Sequence, residues 1–184
     1  MTSNRSFASQ LKYNFLINRC PNVTFFVQEA NIPGVTIGRA VAHTPFVHIY
    51  EQGDHLDYGT LDISFKVDES FDNWFEIHSW ITGMAFPRKR KERADLKNSA
   101  IKNLDGQPVV PPLISEVNRK RGDVYSQITL AILNSHNKAI IQYDFVDAWP
   151  IGISPIQLST KDDDVDYLTA QVSFSYTYYN VSKP

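Results

Sequence analysis

Leu168-Thr169-Ala170-Gln171-Val172-Ser173-Phe174-Ser175-Tyr176-Thr177-Tyr178-Tyr179 alternates without a break. Leu168, Ala170, Val172, Phe174, Tyr176 and Tyr178 fall on one side, and hydroxyl and amide residues fill most of the other. A period of two is the mark of a half-buried strand. The same period runs through Leu61, Ile63, Phe65 and Val67, set against Asp62, Ser64, Lys66 and Asp68. It returns in Ile128, Leu130 and Ile132, set against Gln127, Thr129 and Ala131. Weaker strand candidates are Leu11–Arg19, Val23–Ala30, Val35–Val41, Phe46–Tyr50 and Ala139–Val146. Asn31-Ile32-Pro33-Gly34, Trp149-Pro150-Ile151-Gly152 and Asp105-Gly106 are turn signals, the first two placing Pro and Gly where a strand is expected to stop.

One segment departs from this period. Phe71, Trp74, Phe75, Ile77, Trp80, Ile81 and Met84 recur at helical spacing, with Ser70 as a cap and Asp72 in the first turn. Gly83 and Pro87 mark the end. Each aromatic side chain gains about 1.5–3 kcal/mol from full burial, so this stripe is expected to clamp onto a sheet. The fold class is therefore mainly β: an antiparallel β-barrel or sandwich with one flanking α-helix (about 70–84) and a long loop insertion (about 85–122).

Composition bounds the rest. A chain of 184 residues with 42% hydrophobic content is long enough for one domain with its own core. The single Cys20 permits no intrachain disulfide and no CxxC metal knuckle. Met1–Gln10 is polar, without the apolar region of a signal peptide, and no run approaches a membrane span. The expectation is a soluble, intracellular product with no membrane association. Asn22-Val23-Thr24 and Asn180-Val181-Ser182 match the glycosylation pattern by chance on that reading. Charge is unevenly placed. Residues 85–121 carry ten Lys/Arg against four Asp/Glu, whereas the remainder carries eight against sixteen. Loops longer than ~12–15 residues are commonly functional. On its residues alone this one reads as a solvated loop, with a cationic docking arm on an acidic β body as the functional alternative.

No chemistry stands out. GxSxG, HExxH and a Gly-rich phosphate loop are all missing. His43, His48 and His55, with Asp54 and Asp57, match no zinc spacing and read as surface or packing residues. Asp162, Asp164 and Asp166 open like a calcium loop, but Tyr167 stands where Gly is required and Ser173 where Glu is, so they read as an acidic turn. Asp68 and Glu69 are adjacent and point to opposite faces. The chain reads as a non-enzyme, with no cofactor and no catalytic or metal residues. The charge-free Ser/Thr face of 168–178 is unusual, because exposed strands normally carry Lys against edge pairing.

Three segments resemble the tail tube family of contractile-tailed bacteriophages. Asn14-Phe15-Leu16-Ile17 through Val23-Thr24-Phe25-Phe26 into Ala30-Asn31-Ile32-Pro33-Gly34-Val35 is similar to the family's opening hairpin and Pro-Gly turn. Gly59–Asp68 followed by the Phe71–Ile81 helix is similar to its long strand and single helix. Asp147-Ala148-Trp149-Pro150, Ile153-Ser154-Pro155-Ile156-Gln157-Leu158, an acidic turn and Leu168–Tyr178 are similar to its C-terminal signature.

The resemblance implies one tube-like domain over 1–184 and a structural virion protein. Its subunits join strands into hexameric rings, and the rings stack into a tail tube around a channel for DNA ejection. Tail sheath and baseplate proteins are the implied partners. DNA passes through the lumen without sequence-specific contact. The implied location is the virion tail, assembled in the host bacterial cytoplasm. The long insertion leaves open a tube-initiator, baseplate or tail-terminator adaptor of the same fold. A monomeric β-barrel binding a ligand or nucleic acid is the rival of another class. On the family plan Asp62, Ser64, Lys66, Thr169, Gln171, Ser173, Ser175 and Thr177 are candidates to line the bore. Arg88, Lys89, Arg90, Lys91, Arg93, Arg119, Lys120 and Arg121 are candidates for partner contact. Sister contacts are expected along Leu61–Val67 and Leu168–Tyr178.

Overall fold

The computed structural model describes residues 12–85, 91, 96, 124–158 and 167–183. In chain order the elements are β1 (Tyr13–Ile17), α1 (Pro21–Phe26), β2 (Val27–Ala30), β3 (Val35–His43), β4 (His48–Tyr58), β5 (Leu61–Lys66) and α2 (Asp72–Ala85). Then follow β6 (Ser126–Leu133), β7 (Ala139–Ile153), β8 (Thr169–Ser175) and β9 (Tyr178–Ser182). All pairings are antiparallel. The mainly β class holds, in sandwich-like form: the described strands do not close into a barrel.

Strand β7 organises the body. Its first part pairs with β6 on one side and β9 on the other, and β1 adds to β6. Its last residues, Trp149–Ile153, pair instead with β8, which continues to β5 and β2. Two layers thus share one long strand. Asp147 has φ 53 where β7 crosses between them. The expected stop at Trp149-Pro150 is not there. The strand runs through, with an irregular register between Pro150 and Gly152 that accommodates a residue lacking an N–H.

Between the layers lie the inward residues of the alternating runs. Leu61, Ile63 and Phe65 face Phe174, Val172 and Ala170 in register, all essentially inaccessible. Ile128, Leu130, Phe15, Ile17 and Phe145 complete the core. Helix α2 sets Ile77 and Trp80 into it, with Trp80 Nε1 donating to Val124 O at 2.7 Å. The helical stripe is narrower than expected, because Phe71 and Phe75 are exposed. The start of α2 is held by Asn73, wholly buried. Its Oδ1 accepts from Asp68 N–H, and its Nδ2 donates to Lys66 O.

Three local expectations need correction. Val23–Phe26 is helical, so a second helix joins α2. Pro21 suits the first turn, Thr24 Oγ1 donates to Cys20 O and accepts from Ile17 N–H, and Val23 is buried. Nor is there an opening hairpin: β1 pairs with β6, and β2 with β5. In the insertion, Lys91 and Leu96 have helical rather than loop backbone. Leu96 is buried against Gly83 and its carbonyl accepts from Arg19 at 2.6 Å. Among the described residues no helix is long and apolar enough to cross a membrane.

Candidate functional site

Register gathers the predicted polar residues onto one surface. Asp62 lies opposite Ser173, Ser64 opposite Gln171, and Lys66 opposite Thr169. Because their neighbours in sequence point into the core, these six side chains must share the outer face. Ser173 Oγ donates to Asp62 Oδ1. Ser175 follows on the same side, opposite Trp149. Thr177 lies past the end of β8, at the bend into β9, where its N–H donates to Val146 O.

Two strands widen this face beyond the sequence reading. Glu29 on β2 lies opposite Ser64. Asn31 is tied to β5 through Asp62, whose N–H donates to Asn31 Oδ1 at 2.8 Å. On the other flank Gln171 N–H donates to Ser154 Oγ at 2.9 Å. Glu29, Asn31, Asp62, Ser64 and Gln171 line a shallow depression. Its charged groups are Glu29 and Asp62, while Lys66 stands at the edge with Nζ 4.5 Å from the centre of the Tyr167 ring. Among the described residues this wall is polar and carries two carboxylates against one lysine. Glu29 and Asn31 escaped the sequence reading because the run containing them shows no clean alternation.

Edge pairing through the expected strands is excluded. β5 lies between β2 and β8, and β8 between β5 and β7, so both ladders are occupied. Contacts made there would use side chains.

The second surface is the β3–β4 hairpin. These strands pair with each other and with no other described strand. Val35, Ile37, Val41, Phe46, Val47, Ile49, Tyr50 and Leu56 are all exposed, Phe46 at 98%. The hairpin is rooted in an aromatic cluster. Tyr58 meets Tyr179 and Tyr176 at 5.3 and 6.0 Å between ring centroids, and Gly59 N–H donates to Gly34 O. Burial, with Tyr179 and Tyr58 nearby, pushes the Tyr176 phenol up to about 12. Halfway along, the register breaks between Ile37 and Arg39. A Cβ on Gly53 would sit 2.4 Å from Gly38 O, so the crossing of the two strands requires glycine there.

Of the cationic set, Lys91 is exposed on helical backbone. Arg88, Lys89, Arg90, Arg93, Arg119, Lys120 and Arg121 lie outside the described residues, as do the Asp162–Asp166 carboxylates. Among the described residues no three His, Cys, Asp or Glu side chains gather for a metal ion. Burial pushes the Cys20 thiol pKa far up, which leaves it protonated and poorly nucleophilic.

Among the described residues, a polar sheet face and an exposed apolar hairpin are the two surfaces that stand out. The family model for phage tail tube proteins matches residues 2–182. The chain belongs to the phage tail tube protein family. Tail tube proteins are structural components of a tail, not enzymes. Solved structures share the fold over the whole length. A chain from the tube-terminating cap of the anti-feeding prophage superposes with TM-score 0.62 at 7% identity, covering 100% of this chain and 96% of that one. A chain from the baseplate of the same particle gives 0.59 at 11% identity, covering 99% and 98%. One from the sheath–tube complex of the extracellular contractile injection system PVC gives 0.58 at 7%, covering 100% and 99%. No curated protein matches the chain in sequence.

Proposed function

We propose that this tail tube protein is the repeating subunit of a contractile phage tail, closing into hexameric rings that stack around a DNA channel. The observation that carries this reading is the β3–β4 hairpin. Eight large apolar or aromatic side chains on a two-stranded ribbon have no core of their own. A two-stranded ribbon is marginal alone in water, and apolar surface of this extent marks a protein interface. A second copy of the chain supplies the cover. The rings form in the host cytoplasm and the chain acts as one tube domain.

The outer face of β2, β5, β8 and the end of β7 is assigned to the bore. Hydroxyls and amides keep it wet, and Glu29 and Asp62 repel phosphate. Each added cation would hold DNA by counterion release. Asp62, Ser64, Thr169, Gln171, Ser173 and Ser175 lie on this wall, with Lys66 at its margin and Thr177 at its end. The arm Arg88–Lys91, Arg93 and Arg119–Arg121 is assigned to the next ring, the sheath or the baseplate.

Electron microscopy of the purified chain tests the assembly. Six-fold rings or tubes with a hole are expected. A variant with a two-residue turn joining Val35 to Tyr58, which keeps Tyr58 in its aromatic cluster, is expected to stay folded and monomeric. A wild-type chain that remains monomeric at high concentration, alone and with sheath protein, overturns the reading. Ser64→Lys with Gln171→Lys tests the wall: rings persist while DNA passage slows.

The adaptor role has its own support. The cap and baseplate chains match this fold as well as the sheath–tube chain does. An adaptor stops at one ring, whereas a tube subunit polymerises, so the length of the assemblies separates the two.

A further inference from the structure

The far end of the hairpin brings two imidazoles together. His43 closes β3, His48 opens β4, and they are partners in register. The turn between them is pinned, with Val47 N–H donating to Thr44 Oγ1 and Thr44 N–H donating to Val47 O. The two Nδ1 atoms are 3.0 Å apart. The rings are inclined at 86° with centroids 4.8 Å apart.

A straight N–H···N bond of that length would hold the centroids about 5.3 Å apart. The rings are drawn closer than that, so the contact between them is bent rather than straight. With metal–nitrogen bonds of about 2.05 Å, two nitrogens at this separation subtend about 94°. A tetrahedral ion asks for about 109°, which needs nitrogens about 3.3 Å apart. A tetragonal ion asks for about 90°.

We propose that His43 and His48 form a two-nitrogen chelate for a divalent transition-metal ion of tetragonal preference, Cu²⁺ ahead of Ni²⁺. The order follows the general affinity series for imidazole donors. Both Nδ1 atoms bind as neutral acceptors, and their protons sit on the Nε2 atoms. Among the described residues no third His, Cys, Asp or Glu joins them, so water fills the remaining positions. Protons compete for the same nitrogens, and occupancy falls on acidification. The chelate needs only the hairpin turn, so it stands apart from the assembly reading.

Copper titration of the full, untagged chain tests this, with electron paramagnetic resonance on the one-equivalent complex. A tetragonal spectrum with hyperfine splitting from two nitrogens is expected. His43→Gln and His48→Gln should each weaken the first equivalent at least tenfold. The double variant should be little worse than either single one, because losing one arm already breaks the chelate. His55→Gln and His136→Gln should leave the affinity unchanged. Circular dichroism checks that every variant is folded; the exposed tip makes loss of the fold unexpected. Unchanged affinity in both tip variants, or single-nitrogen splitting in the wild type, overturns the proposal and leaves the pair sharing a proton.

Discussion

The body and the hairpin use the same strand chemistry to opposite ends. In the body, β5 and β8 turn Leu61, Ile63, Phe65, Val172 and Phe174 inward, and each is covered by the same chain. In the hairpin, Ile37, Val41, Ile49 and Leu56 are strand residues of the same kind, yet all are exposed. Apolar pattern therefore specifies strand formation in both, but not what does the covering. The body completes itself; the hairpin leaves its apolar residues uncovered by its own chain.

The sharpest way to break this contrast is at the centre of the body. Trp80→Ala removes a wholly buried indole that packs on Phe174 and donates to Val124 O. A loss of about 3–5 kcal/mol is expected, read by denaturant unfolding. Gly83→Ala probes where the insertion meets the body. The new methyl would sit 2.9 Å from Leu96 Cβ. Crowding costs about 1–3 kcal/mol, offset by about 1 kcal/mol of helix propensity, for a net loss near 1 kcal/mol.

Glu76 gives a pH test of the α1–α2 contact. Burial, the main cause, raises its pKa above 4.5, against the lowering effect of hydrogen bonds from Asn22 and the Asn22 and Val23 backbone. The folded state therefore holds this proton at a higher pH than the unfolded chain. Its contribution to stability is greatest below about pH 4.5 and is lost as pH rises through the raised value. Glu76→Gln should flatten that slope in unfolding curves recorded across the window. Phe46→Ser, at the other extreme, should shift subunit stability by less than about 0.5 kcal/mol, because the ring touches little of its own chain. The same change should weaken ring formation, read by sedimentation. A large stability change there would dissolve the contrast.

Legibility followed the same division. Strands with one face buried and one wet announce themselves, so β5, β6 and β8 could be read from spacing alone, while bringing Asp62, Ser64, Gln171 and Ser173 onto one face rested on the family resemblance as well. The reading failed where local chemistry outweighed period. Val23–Phe26 has the β-branched and aromatic content of a strand, but Pro21 and the Thr24 hydroxyl organise a helical turn. Pro150 signals a stop, but a register shift lets β7 continue. Strand β4 runs past the expected Phe46–Tyr50, because Gly53-Asp54-His55 forms an irregular stretch opposite Gly38 within the strand rather than ending it. The pairing of β1 with β6 joins segments more than a hundred residues apart, a distance that no local pattern encodes.

Strand β7 belongs to both layers, and β8 and β9 follow it across the same boundary. No seam divides the body into halves that can peel apart independently. A load on either layer is passed to the other through the backbone of β7 itself. That is mechanical behaviour suited to a shaft driven end-on.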